Sequence, residues 1–161
     1  MIAVSGVKNS GKTTVLEKLV AELTARGLNV AVIKHDGHSF EPDRPGTDTY
    51  RHLAAGAMGA AVFDGEKFQV TRYAAVTERE LMEVFPDADL VLLEGFKGSN
   101  WPKVEVVRSG NSEGAVCDPN ALLALVTDLS IDLPGVPALG LEDTKGLAEL
   151  VLSYCFGGER P

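Results

Sequence analysis

Apolar positions along this chain fall into two kinds of pattern. Residues 2–5 (IAVS), 30–33 (VAVI), 90–93 (LVLL), 104–107 (VEVV) and 122–126 (LLALV) form short runs, the length and texture of strands buried on both faces. Between the first two, Val15, Leu16, Leu19, Val20 and Leu23 recur at helical spacing, and Gly27 stands where such a helix stops. Strand, helix and strand within about 30 residues make a βαβ unit, so the first two strands run parallel.

Polar stretches separate the remaining elements. HSFEPDRPGTD carries two prolines and reads as a long loop, followed by a helix near Thr47–Ala57. AAVFDGEKFQV predicts a hairpin around Asp64-Gly65. TERE at 77–80 is a capping box whose helix ends before Pro86. Ala138-Leu139 is a short strand, Leu147, Leu150, Val151 and Tyr154 mark a C-terminal helix, and GGERP is a frayed tail. No repeat or linker interrupts the series. The expected architecture is α/β: a three-layer fold with a mostly parallel central sheet and a peripheral β-hairpin, in a single domain over residues 1–161.

Composition narrows the function. A 161-residue chain can bury a proper core. No apolar run approaches the ~20 residues of a membrane span, and the N-terminus lacks a signal-peptide pattern, so a cytoplasmic protein is expected. Cys117 and Cys155 have no CxxC spacing and read as inert thiols. The net charge of −8 argues against general nucleic-acid binding. Lys8, Lys12, Lys34, Arg44, Arg51, Lys97 and Lys103 nevertheless lie close to the motifs below, which suits a small anionic ligand unless the clustering is chance.

GVKNSGKT, residues 6–13, matches G-x-x-x-x-G-K-[ST] without a mismatch, after a strand and at the start of a helix. Gly6 and Gly11 let the backbone curl so that successive N–H groups face phosphate oxygens, and the helix N-terminus adds its dipole. Lys12 then reaches the β- and γ-phosphates, and Thr13 offers its hydroxyl to Mg²⁺. Lys8 sits one residue late for the second lysine that some related loops use, and reads as a solvated loop residue. The expected fold is therefore P-loop NTPase-like, a nucleotide-binding domain.

Such a site needs a carboxylate at the C-terminal end of a neighbouring strand, and LVLLEG supplies Glu94. KHDGH also follows a strand, which places Asp36 to hold a Mg²⁺-bound water or to orient an attacking one. His35, His38 and His52 with Asp36 make a poor transition-metal set without a nearby cysteine. Hydrogen bonding to a polar ligand or to the loop fits these histidines better, and a surface role for His38 is equally open.

GVKNSGKTT, IKHDGH, PGTDTYRHLAAGA, LLEGFK and PKVEVV occur in this order. With them the chain, from Met1 to about Tyr154, resembles the MobB family, GTP-binding accessory proteins of molybdopterin-guanine dinucleotide biosynthesis. The resemblance implies a homodimer that binds GTP with Mg²⁺, hydrolyses it slowly, and assists a MobA-type guanylyltransferase in joining GMP to molybdopterin. It implies that the loop from Gly6 through Asn9, Ser10, Gly11, Lys12 and Thr13 to Thr14 holds phosphates. Asp36 and Glu94 serve the Mg²⁺ side with Thr13, and Pro45–Arg51 lies near the ligand. Asp128, after the LLALV strand, corresponds to the base-side segment and could pair with guanine N1–H and N2–H₂. The chain lacks the NKxD pattern.

Three accounts of function stay open: a GTP hydrolase coupled to cofactor assembly, a binding adaptor in which turnover is incidental, and a small-molecule kinase. Arg44 and Arg51 are the arginines near Asp36 in sequence, and neither lies in an arginine-finger motif. Lacking that cation costs about 10³–10⁵ in rate, so intrinsic hydrolysis is expected to be slow. For molybdopterin as a bound substrate, Lys97 and Lys103 flank Trp101 and suit a phosphorylated flat ring, with packing as the bland alternative for the tryptophan.

Overall fold

A computed structural model describes residues 1–37 and 40–157. The chain packs as two compact units, one formed by Met1–His35 with the chain from Leu81 onward, the other by Asp36–Glu80.

The first unit is built on a six-stranded sheet of β1 (Ile2–Ser5), β2 (Val30–Lys34), β5 (Leu90–Glu94), β6 (Lys103–Val107), β7 (Leu122–Thr127) and β8 (Ala138–Leu139). Its order is β2-β5-β1-β6-β7-β8, and every neighbouring pair is parallel. The two strands of the N-terminal βαβ unit are parallel but not adjacent, because β5 lies between them. All-parallel strands are covered on both faces, which is why β1, β5 and β6 are buried along their whole length.

One face packs against α1 (Lys12–Ala25) and α4 (Thr144–Phe156), where Leu16, Leu19, Leu23, Leu147 and Val151 meet Ile2, Val4, Leu92, Val104 and Val106. On the other face, Ala3, Ala31, Ile33, Val91 and Leu93 pack with Leu81, Met82, Phe96 and Trp101. Val107, Cys117, Leu122 and Leu125 extend that face toward β7.

Among the described residues, two fully buried charged side chains stand in this second face. Lys103, with no exposed surface, donates from Nζ to the carbonyls of Phe96 (3.3 Å), Lys97 (3.4 Å) and Ser99 (2.5 Å). It therefore fastens the connection after β5 from below. Glu105 accepts from the amides of Val116 (2.8 Å) and Cys117 (3.0 Å). Burial, reinforced by the Glu105 carboxylate, pushes the Cys117 thiol up to about 12. Since the thiolate is the reactive form, iodoacetamide at pH 8 should leave Cys117 unmodified in the native protein and label it after denaturation. Mass spectrometry of the native sample reads this directly, and rapid native labelling of Cys117 would contradict the burial described.

In the second unit, α2 (Asp48–Ala54) starts at Thr47, whose hydroxyl accepts from the Tyr50 amide (3.3 Å), and it stops three residues short of the expected end. Ala55 and Gly56 close it, Gly56 with φ 101°, a conformation that glycine adopts freely. β3 (Gly59–Phe63) and β4 (Phe68–Arg72) form the antiparallel hairpin, Phe63 opposite Phe68. The turn takes four residues because the Asp64 carboxylate accepts from the amides of Glu66 and Lys67 (2.9 Å each). The capping box is reciprocal: the Thr77 amide donates to Glu80 (2.8 Å) and the Glu80 amide to the Thr77 hydroxyl (3.3 Å). The short helix it opens, α3 (Glu78–Met82), crosses the boundary at Glu80, so that Leu81 and Met82 belong to the first unit.

Candidate functional site

The C-terminal ends of five parallel strands bring Ser5, Lys34, Glu94, Val107 and Thr127 to one edge of the first unit. In open α/β sheets this edge carries the chemistry.

From Ser5 the chain turns through residues 6–11 into α1. Gly6 has φ 143°, and a Cβ there would lie 2.5 Å from the Val106 carbonyl oxygen and 2.8 Å from Ser10 Oγ, so no side chain fits. Asn9 (φ 63°) and Gly11 (φ 90°) supply the other left-handed turns; asparagine is among the few residues that accept this region. The Lys12 side chain folds back across the loop, with Nζ donating to the Val7 carbonyl at 2.6 Å. Gly11 caps α1 without a side-chain hydrogen bond, and no acidic residue stands in the first turn. Among the described residues, the leading amides of α1 thus meet no capping carboxylate or hydroxyl, the condition under which a helix start takes an external anion. Ser10 Oγ is buried in the same loop and has no hydrogen-bond partner among the described residues.

Glu94 completes this arrangement. It pairs in register with Val4 on one side and Lys34 on the other and is 8% exposed. Thr13 Oγ1 donates to its Oε1 at 2.9 Å, and Lys34 Nζ stands 3.5 Å from the same oxygen. Partial burial lowers the Lys12 ammonium below its ordinary range; Glu94 opposes that, while Lys97 and Lys34 add to it. Lys12, Lys34, Lys97 and Glu94 therefore share one electrostatic neighbourhood. A threonine hydroxyl beside a carboxylate is a hard-oxygen donor pair of the kind Mg²⁺ takes, so the residues present fit that ion.

The KHDGH segment divides. Lys34 ends β2 against Glu94. The His35 amide donates to the Glu94 carbonyl (3.1 Å), and its ring lies tilted on Phe96 with centroids 5.4 Å apart. Asp36 is exposed and opens the second unit, His38 lies outside the described residues, and His52 is exposed on α2. Among the described residues no group of three His, Cys, Asp or Glu side chains could hold a metal ion. Pro45–Arg51, with Arg44 before it, likewise belongs to the second unit, where Arg51 pairs with Asp48 at 3.6 Å.

Asp128 is exposed just past β7. Its carboxylate accepts from the Ser109 amide and hydroxyl at 2.7 Å each, bonds that hold the acid below its usual range. Thr14 is exposed on the first turn of α1. Lys103 is corrected: the sequence puts it beside Trp101 as a surface cation for an anionic ligand, and the structure buries it under the loop it fastens. Trp101 packs, half-buried, on the second core face.

Sequence reading missed Arg108 and Asn111, in the turn after β6. Asn111 Nδ2 donates to the carbonyls of Asn9 and, at 3.5 Å, Lys8. One Arg108 guanidinium nitrogen lies 3.7 Å from the position a Cβ on Gly11 would take. Their place after the C-terminal end of a parallel strand was the one signal that pointed to them.

A parallel sheet with a glycine-bounded loop between β1 and α1 and an acidic residue ending the adjacent strand defines a P-loop NTPase-like protein. No helix among the described residues is long and apolar enough to cross a membrane. The chain belongs to the MobB family: the family model for molybdopterin guanine dinucleotide synthesis protein B matches residues 1–128. The molybdopterin-guanine dinucleotide biosynthesis adapter protein of Escherichia coli is 30% identical over 96% of this chain and 92% of its own length. The probable adapter protein of the same name from Bacillus subtilis is 36% identical over 98% and 94%. The crystal structure of Bacillus subtilis MobB matches with a TM-score of 0.75 at 31% identity, covering 94% of this chain and 95% of that one.

Proposed function

We propose that this protein binds GTP with Mg²⁺, hydrolyses it slowly, and assists the attachment of GMP to molybdopterin in molybdopterin-guanine dinucleotide biosynthesis. The observation that carries the reading is the uncapped start of α1 within the Gly6–Thr14 loop, beside the Thr13–Glu94 pair. Amides of the loop and Lys12 bind the polyphosphate; Thr13 and Glu94 hold Mg²⁺, which supplies charge to the β- and γ-phosphates when bound. Asp128 reads the guanine edge. Partners in this reading are a second copy of the chain, a MobA-type guanylyltransferase and molybdopterin, in the cytoplasm.

The relatives from Escherichia coli and Bacillus subtilis are named adapter proteins, which favours a second reading in which the bound nucleotide serves docking or delivery and turnover is incidental. Calorimetric titration with GTP, ATP and GDP, with and without Mg²⁺, tests what both share. GTP and GDP should bind, ATP more weakly, with Mg²⁺ tightening GTP most. Absence of binding by all three would remove both readings. Single-turnover hydrolysis then separates them, since the hydrolase reading requires turnover that the cofactor-assembly reaction depends on.

A further inference from the structure

Adjacent strands set out a track across the C-terminal edge of the sheet. The phosphate-loop strand β1 neighbours β6, and β6 neighbours β7, directly followed by Asp128. Two strand spacings make about 10 Å, a gap that a nucleoside bridges when its phosphates sit over β1 and its base beside Asp128. The residue that leaves the intervening strand is Arg108. It is exposed, with a guanidinium nitrogen 3.7 Å from where a Cβ on Gly11 would stand. Among the described residues its guanidinium makes no ion pair. Two residues just after it are fixed on either side: Ser109 holds the Asp128 carboxylate through two bonds of 2.7 Å, and Asn111 holds the carbonyls of Asn9 and Lys8. The turn therefore ties the phosphate loop to the base-side segment, with the Arg108 cation between them. That cation's field reaches Asp128 and Glu142, whose carboxyls are held low mainly by Ser109 and by Lys18 and more weakly by Arg108.

We infer that Arg108 is a nucleoside-binding residue, its planar guanidinium covering the sugar and purine face between the phosphate loop and Asp128, and that it does not contact the polyphosphate. This rests on the nucleotide reading above and adds to it the residue that recognises the part of the ligand beyond the phosphates. A guanidinium plane stacks on aromatic faces with a strength that a point charge does not match.

Calorimetry with GDP and with inorganic tripolyphosphate, both with Mg²⁺, distinguishes the possibilities in wild type, Arg108→Ala and Lys12→Ala. Arg108→Ala should weaken GDP about tenfold and leave tripolyphosphate within about twofold, at an unchanged melting temperature. Lys12→Ala should weaken both ligands. If Arg108→Ala weakens the two alike, the arginine is a phosphate contact; if it weakens neither, it is a bystander; either result overturns the inference while the nucleotide site stands. If wild type binds neither ligand, the nucleotide reading itself fails.

Discussion

Lys12→Ala should lower GTP affinity by about 100-fold or more. Lys12 is the side chain that spans the loop: its Nζ reaches the Val7 carbonyl at 2.6 Å, across the left-handed turns at Asn9 and Gly11. Charge-assisted hydrogen bonds to phosphate contribute about 1.5–3 kcal/mol each, and two such bonds give roughly two to four powers of ten in affinity. The same residue should make binding pH-dependent. Burial already lowers its ammonium from the usual 10.5, with Lys97 and Lys34 acting in the same direction. The neutral form offers less to a polyanion, so affinity should fall as pH rises through this lowered titration, below the ordinary lysine range. The alanine variant should lose that alkaline dependence along with the affinity. GTP titrations with Mg²⁺ across pH 7 to about 10 measure both effects, and an alanine variant binding within twofold of wild type would show that Lys12 does not meet the ligand.

The parts of this site that are local in sequence are legible in the order of residues alone. Gly6, Gly11 and Lys12 sit at fixed spacing between a strand and a helix, and each is used where the backbone requires it. Glu94 is readable as the end of a buried strand, because four apolar residues before it fix which end faces the loop. The insertion of β5 between β1 and β2, which carries Glu94 to within 2.9 Å of Thr13, follows from sheet order, which no local pattern encodes. Contacts between distant segments are hidden for the same reason. Asn111 fastens Asn9 across 102 positions and Ser109 engages Asp128 across 19, and both look like ordinary polar turn residues. Lys103 misleads for a different reason: lysine is almost always exposed, and only the three carbonyls converging on it explain its burial. The division into two units is marked in sequence on one side alone: the polar stretch 38–48, with its two prolines, follows Asp36, and no such stretch stands at Glu80.

The burial of Lys103 carries the second large effect. Phe96 occupies a left-handed conformation (φ 55°) that side chains other than glycine and asparagine seldom adopt, and it persists only where the surroundings impose it. Lys103 Nζ, beneath the connection, binds the carbonyls of Phe96, Lys97 and Ser99, while the Ser99 amide and hydroxyl close back on Phe96 at 3.0 and 2.8 Å. Lys103→Met keeps most of the volume and removes every donor. The Phe96 carbonyl retains Ser99, but the carbonyls of Lys97 and Ser99 lose the Nζ, and a buried unsatisfied polar group costs about 1–3 kcal/mol. A loss of about 3 kcal/mol, a fall in melting temperature of roughly 10 °C, is expected. Because the same connection begins at Gly95, whose carbonyl accepts from Ser5 directly before the phosphate loop, the loosening should spread to Glu94 and weaken Mg²⁺-dependent GTP binding more than binding without the ion. Scanning calorimetry and paired titrations test the two halves. A methionine variant that melts with wild type would mean the three contacts hold nothing in place, and one that is destabilised but keeps its full Mg²⁺ response would confine Lys103 to stability and separate it from the site.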